Sequence, residues 1–217
     1  MNTDYLTLGN IEVTVGTVRN EQNQGGGEII YQEAVDLVKT LYPNHQFERC
    51  FEWCAGPGIL GYSMLEFGVA KTLCLADYFE PSLRVARETM ERFNLQDKVS
   101  IYNSNNLDSI PETEQWDLVI GNPPQFPGLI QLWGPNARDT RLYMDKDWEL
   151  HKNFFANIKK FLKPNGKIFL WECAWGSAVG TFKPYIEAAG LKVSRFGNAN
   201  NSNYMEIWYW IEIEYAD

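Results

Sequence analysis

Phe51-Glu52-Trp53-Cys54-Ala55-Gly56-Pro57-Gly58-Ile59-Leu60-Gly61 reads as the end of a buried strand, a turn of small residues and the opening of a helix. Cys54, Ala55, Gly56 and Gly58 leave little side-chain bulk at the turn, so a ligand can approach the backbone and the helix can pack closely on the strand. Glu52, close to the strand's end, is expected to point into the crevice at the carboxyl edge of the sheet, where open α/β sheets bind ligands.

Downstream of this turn strands and helices alternate. Arg49 to Trp53 is the first strand and Ile59 to Phe67 the helix it feeds. Thr72 to Asp77 is a continuous apolar run ending in an acid, and Pro81 suits the first turn of the helix that follows. Val99 to Tyr102 and Asp117 to Gly121 are two further strands, the second leading directly into Asn122-Pro123-Pro124-Gln125-Phe126. An irregular segment then runs to about Thr140, and loops of that length in a compact domain are usually functional. Asp145 or Asp147 can cap the next helix, whose apolar side is expected to carry Trp148, Phe155, Ile158 and Leu162. Lys163-Pro164-Asn165-Gly166 should end it before a strand at Lys167 to Glu172. A helix from Val179 to Ala189, a strand from Leu191 to Phe196 and a long alternating run from Tyr204 to Tyr215 complete the chain.

Upstream, Tyr5 to Val18 alternates about Gly9-Asn10, a hairpin signal. The polar link through Gly25-Gly26-Gly27 is either a plain connector or a lid that folds over a ligand. Glu28 to Leu41 has helical periodicity and stops before Pro43. The expected architecture is therefore α/β, a doubly wound Rossmann-like sheet of seven strands, the last antiparallel, preceded by a hairpin and a helix. One domain is expected over 1–217, with 1–45 as the hairpin, link and helix and 46–217 as the core.

Composition narrows the function. The 217 residues include 19 basic and 28 acidic side chains, a net charge of −9, which disfavours nonspecific grip on DNA or RNA. Lys159, Lys160, Lys163 and Lys167 are the nearest approach to a basic patch, and cations at a helix end complement its dipole. Cys50, Cys54, Cys74 and Cys173 form no CxxC pair, and the two histidines complete no zinc spacing, so no metal is expected. A reduced, cytoplasmic compartment and a soluble protein without a membrane partner follow as expectations.

These residues carry a family resemblance. From about Phe47 onward the sequence resembles a class I S-adenosylmethionine-dependent methyltransferase with an Asn-Pro-Pro fourth motif, and within that class the small methyltransferase-domain, release-factor glutamine methyltransferase-like group. The resemblance implies S-adenosyl-L-methionine as cofactor, with Glu52, Cys54, Ala55, Gly56 and Gly58 as its glycine-rich motif. It implies that Asp77 accepts the ribose hydroxyls, that Asn105 and Asn106 lie near the adenine, that Tyr78 and Leu107 sandwich it, and that Asn122 borders the cofactor. Asn122, Pro123, Pro124, Gln125 and Phe126 match the fourth motif, where the Asn122 side-chain oxygen and the Pro123 carbonyl would accept both protons of the acceptor nitrogen. Gln125 departs from the pattern, which has an aromatic residue there. Either Phe126 supplies the stacking face or Gln125 hydrogen-bonds the substrate.

Plain alternatives stand beside each assignment. Asp77 can cap the next helix, Glu52 can be a loop acid, and Asn-Pro-Pro can be a rigid loop exit. His151 is a candidate acid/base, although a helix-surface or loop histidine is the simpler reading. Trp133, Arg138 and Arg141 fall in the segment expected over the substrate. The leading function is N-methylation of a planar amide or amine nitrogen on a protein side chain or small molecule. An adenine or guanine N-methyltransferase acting on RNA or DNA and a non-catalytic binding module are the alternatives. The sequence leaves the methyl acceptor and the oligomeric state open.

Overall fold

A computed structural model describes residues 5–15, 27–128, 143–199 and 208–216. β1 (Tyr5–Leu8) and β2 (Ile11–Thr14) form the expected hairpin. α1 (Gly27–Leu41), β3 (Phe47–Trp53), α2 (Ile59–Glu66), β4 (Ala70–Asp77), α3 (Glu80–Arg92), β5 (Val99–Asn103) and β6 (Trp116–Gly121) follow. After them come α4 (Glu149–Asn157), β7 (Leu162–Cys173), α5 (Val179–Ala188), β8 (Leu191–Asn198) and β9 (Trp208–Tyr215). Gly25 and Gly26, Trp133, Arg138, Arg141 and the 204–207 stretch of the last alternating run lie outside the described residues.

The seven strands of the main sheet lie in the order β5-β4-β3-β6-β7-β9-β8. β5, β4, β3, β6 and β7 are parallel, and β9 enters antiparallel between β7 and β8. The expected doubly wound α/β sheet with an antiparallel last strand is the one observed.

Period-two alternation sorts the sheet's side chains between two cores. Cys50, Leu73, Leu75, Leu118, Ile120, Phe169 and Trp171 face α1 and α2, and the hairpin packs there too through Leu8, Ile11 and Val13. Phe51, Trp53, Cys74, Val119 and Leu170 face the other way, onto Phe154 and Phe155 of α4 and Phe182 and Ile186 of α5. Trp53 stacks on Phe154 with ring centroids 4.0 Å apart, which fixes the end of β3 against α4. The hairpin is also tied down by polar contacts, since Asn10 donates its backbone N–H and its side-chain amide to Glu66 Oε1 at 2.8 and 2.6 Å.

The largest change to an expected boundary is at the end of α4. The helix ends at Asn157, a 3₁₀ turn covers Ile158–Lys160, and Leu162 opens β7 instead of lying on the helix. Leu162 pairs with Trp116 and Lys167 with Leu118, so Lys163-Pro164-Asn165-Gly166 is an excursion within the strand and not the end of the helix. Pro164 offers no N–H for pairing, and Asn165 turns the chain at φ 67°.

The amino end of the sheet is closed by charge. Glu114 accepts two hydrogen bonds from Arg49, both 2.6 Å, and one each from Tyr102 and Trp116 at 3.0 Å. Burial pushes the Glu114 carboxyl up, but the guanidinium outweighs it and holds the group below the usual carboxylate range. Replacing Glu114 by Ala strands Arg49 in a half-buried position, and a loss of about 3 kcal/mol is expected. Urea unfolding at neutral pH measures it, as a drop in midpoint at unchanged m.

Candidate active site at the carboxyl edge of the sheet

Strand register brings the predicted residues to one rim. Trp53 lies opposite Ala76 of β4 and Gly121 of β6, and Asp77 opposite Asn103 of β5. Glu52, Asp77 and Asn122 therefore stand at the ends of three adjacent strands. Two strand spacings of about 4.8 Å separate β4 from β6, so their ends lie roughly 10 Å apart.

The small-residue turn follows β3. Cys54, Gly56 and Gly58 take φ values of 54°, 53° and 86°. A Cβ on Gly58 would come within 2.8 Å of Leu75, whereas one on Gly56 would meet none of the described residues within 4 Å. Glu52 is buried beneath the turn. Its Oε2 accepts the Gly61 N–H at 2.7 Å, and the Leu60 amide also supports it. It thus serves the first turn of α2, whose N-cap residue, Gly58, has no side chain to do so. Burial pushes the Glu52 carboxyl up to about 8 against those two amides, and the Asp77 charge adds to the rise.

Asp77 accepts the N–H of Gly56 at 2.8 Å and that of Phe79 at 2.8 Å. It thereby fastens the glycine turn to β4 and supports the start of α3. Burial raises its pKa, opposed by these amides. Asn105 and Tyr78 are exposed at the rim, and the Asn105 amide lies 3.3 Å from Asp108 Oδ2. Asn106 and Leu107 turn inward. The Asn106 oxygen accepts the Trp53 indole N–H at 3.1 Å, and its amide donates to the Leu150 carbonyl at 2.8 Å. Leu107 is buried in the cluster around Trp53, so it backs the site from the core. Ala55, also buried, extends the β3–β4 ladder by donating to the Ala76 carbonyl.

The fourth motif holds the largest departure from expectation. Gln125 is only 6% exposed and points inward. Its Nε2 donates toward Asn122 Oδ1 at 2.9 Å, the Pro123 carbonyl at 2.6 Å and the Trp171 carbonyl at 3.0 Å. Its Oε1 accepts the Cys173 N–H at 2.7 Å. The expected hydrogen bond from Gln125 to substrate is not available in this arrangement, because the chain itself supplies the partners. Phe126 is buried as well, with its N–H on the Tyr143 carbonyl and its own carbonyl on the Asp145 N–H. Pro123 is buried and Pro124 half-buried.

The parallel ladder explains why Gln125 sits there. Pairing of β6 with β7 stops at Gly121 opposite Leu170, because Pro123 and Pro124 have no N–H to continue it. In a parallel pair each residue donates to the carbonyl before its neighbour and accepts from the N–H after it. The Gln125 carboxamide does both across Glu172, standing in for a peptide group.

Glu172 belongs to a buried polar cluster. His151 is fully buried, not on the helix surface, with Nδ1 2.6 Å from Asp145 Oδ2 and Nε2 3.1 Å from Glu172 Oε1. Its ring stacks on Phe182 at 4.4 Å and meets Trp53 edge-on at 5.1 Å. Burial alone would depress the imidazolium, but Glu172 and Asp145 outweigh it and raise the pKa to about 9. Glu172 is itself pushed up by burial against the histidine's charge, and its Oε2 has no partner among the described residues. Asp145 also caps α4 through the Leu150 and His151 amides at 2.7 and 3.0 Å, as expected of it.

Two residues of this rim escaped the sequence reading. Glu172 is the one acid in the run Ile168 to Cys173, and an acid in so apolar a strand was the available signal. Trp175, 64% exposed, follows β7 in the turn that packs on Gln125 through Gly176. Nothing in its local sequence marks it.

The sheet order with its antiparallel β9 is that of the class I methyltransferase fold. Residues 33–131 match the family model of the methyltransferase small domain. A bifunctional methyltransferase of Rickettsia typhi is 28% identical over 170 residues, covering 74% of this chain and 31% of the relative. A release factor glutamine methyltransferase of Clostridium acetobutylicum is 24% identical over 148 residues, covering 65% of this chain and 50% of the relative. The chain thus spans half or less of the length of these curated relatives. Among solved structures, a ribosomal protein L11 methylase of Lactobacillus delbrueckii subsp. bulgaricus shares the fold, with TM-score 0.60, 12% identity and coverage of 86% of this chain and 79% of that one.

The buried histidine sets a pH dependence. A group whose pKa is raised on folding stabilises below its unfolded value and loses that contribution as pH climbs through the folded value. His151 therefore supports the fold fully below about 6.5 and ceases to by about 9. Glu52 and Glu172, also raised, act in the same direction. Stability is expected to fall from about pH 4.5, where the Glu52 contribution begins to go, to about pH 9, where that of His151 is spent. Glu172→Gln, which takes away one of the charges holding the imidazolium, should move the fall to lower pH. Denaturant titrations at a series of pH values check both, and a flat profile would contradict the assignment.

Proposed function

We propose that this chain transfers the methyl group of S-adenosylmethionine to the nitrogen of a planar amide or amine, on a protein side chain or a small molecule. One observation carries the reading. Asn122 Oδ1 and the Pro123 carbonyl converge on a single point that already holds a primary-amide nitrogen, at 2.9 and 2.6 Å. A pair of acceptors so placed is complementary to an NH₂ group.

The rim suits the proposed cofactor. Gly56 offers backbone that a ligand can approach, since none of the described residues stands where a Cβ would project. Asp77, half-buried, keeps acceptor capacity for ribose hydroxyls beyond its backbone partners. Asn105 and Tyr78 lie at the rim for the adenine. The N-terminal amides of α2, which would receive the pyrophosphate of a dinucleotide, are instead on the Glu52 carboxylate. Those amides are thus already occupied and do not offer a phosphate site, which fits a phosphate-free donor.

Bound S-adenosylmethionine supplies an electrophilic methyl group on a sulfonium. The chain's part is to position the acceptor. Asn122 Oδ1 and the Pro123 carbonyl take its two protons, orient the nitrogen and stabilise the positive charge it gains. Pro123 and Pro124 fix φ and bring no competing donors. No strong base is required, because the proton becomes acidic only as transfer proceeds. The net charge of −9 disfavours a nucleic-acid acceptor.

Calorimetry with S-adenosylmethionine and transfer of labelled methyl groups to fractionated lysate test the reading together. Asp77→Ala is expected to weaken cofactor binding at least tenfold, about 1.4 kcal/mol. Asn122→Ala should bind the cofactor as the parent does and transfer nothing. Unchanged affinity in the first variant, or undiminished transfer in the second, overturns the corresponding role, and a flat titration of the parent points to a non-catalytic module.

A further inference from the structure

We propose that Gln125 is a resident occupant of the acceptor site, a gating side chain that an incoming nitrogen must displace. The inference rests on the reading above and concerns the same pair of oxygens. An external NH₂ held by both Asn122 Oδ1 and the Pro123 carbonyl has to take the position of Gln125 Nε2, which lies 2.9 and 2.6 Å from them.

The occupant is firmly held. Nε2 has two protons and three acceptors within 3.0 Å, and Oε1 takes the Cys173 N–H at 2.7 Å. Neighbouring backbone closes over it. Gly176 packs so tightly that a Cβ there would fall 2.0 Å from the Gln125 carbonyl oxygen, and the Gln125 and Phe126 amides both donate to the Tyr143 carbonyl at 2.9 Å. Swinging the carboxamide out therefore breaks its pairing with Trp171 and Cys173 as well as freeing the acceptor pair.

The closed arrangement makes the competent state a minor one, and apparent acceptor affinity falls by the fraction of molecules that are open. The same contacts set selectivity. A donor with one proton cannot replace what Gln125 supplies to both oxygens, whereas a group bearing NH₂ can. Gln125 is thus a specificity-determining residue that acts before any acceptor arrives, and the aromatic residue expected at this position would leave the pair open.

Gln125→Ala removes the occupant and leaves both oxygens in place. With N-acetyl-L-glutamine amide as the acceptor probe and labelled S-adenosylmethionine, the variant is expected to gain at least tenfold in kcat/KM. The gain should fall mainly in KM, while calorimetric cofactor binding stays unchanged. A variant that binds cofactor normally and shows equal or lower kcat/KM overturns the proposal. The double variant Asn122→Ala/Gln125→Ala separates the two ideas, because transfer that survives in it sinks the acceptor-pair reading itself. Should Gln125→Ala lose its cooperative melt, the parent protein serves. Hydrogen exchange of the Gln125 side-chain amide is then expected to be slow and to quicken at least threefold when the probe is added, and exchange unaffected by the probe overturns the proposal.

Discussion

Pro123 and Pro124 bring no N–H to the rim, and that deficit shapes what surrounds it. β6 cannot go on pairing with β7 past Gly121, yet β7 continues to Cys173 with a carbonyl and an N–H turned toward it. Left unpaired in a buried setting, each such group is costly. The Gln125 carboxamide satisfies both, at 3.0 and 2.7 Å. This side chain fixes the backbone on either side of Glu172, which in turn meets His151, and His151 meets Asp145 at the head of α4. Closure of the sheet and placement of the helix behind the site are thus linked through one amide.

Carboxylates do much of the remaining work by facing backbone amides. Asp117 accepts the N–H of Glu48 and of Arg49 at the amino end of the sheet. Asp77 holds the glycine turn and the start of α3, Glu52 the start of α2, and Asp145 the start of α4. Three of these four lie at the carboxyl edge, where helices begin and their N–H groups point back toward the sheet. The acidic balance of the chain is therefore partly internal and structural. Burial and mutual repulsion lift Glu52 and Glu172 from the ordinary carboxylate range, while Glu114, paired with Arg49, goes the other way.

The strand and helix order was legible because apolar runs of four to eight residues, each bounded by turn chemistry, are local signals. The rim was legible for the same reason, since Glu52, Asp77 and Asn122 each end a strand and parallel strands end together. Contacts between distant segments were not. Gln125 meets residues 46 and 48 positions away, and His151 meets Glu172 across 21, so neither partner could be read from spacing. His151 looked like a helix-surface residue because its helical neighbours Lys152 and Asn153 are polar, and packing by Trp53 of β3, Glu172 of β7 and Phe182 of α5 encloses it. Asn106 misled for a similar reason. Its place after β5 suits a ligand contact, but the Trp53 indole needs an acceptor once buried, and Asn106 supplies it.

The rim is held together by contacts that a ligand could replace. Asn122 and Pro123 receive the Gln125 amide. A site lined with unmet acceptors would weaken the free protein, because buried polar groups without partners are expensive. Surrogate partners remove that cost, and they also raise the threshold for binding, since each ligand contact then replaces an existing one and contributes only the difference. Under the proposed reading, affinity at this rim depends less on how many hydrogen bonds an acceptor makes than on how much better it makes them than Gln125 does. A weak general amine gains little from such an exchange. An acceptor that arrives with remote binding energy from a larger surface can meet the cost of expelling the glutamine, and so selectivity for the whole acceptor is expressed at the single nitrogen where the methyl group lands.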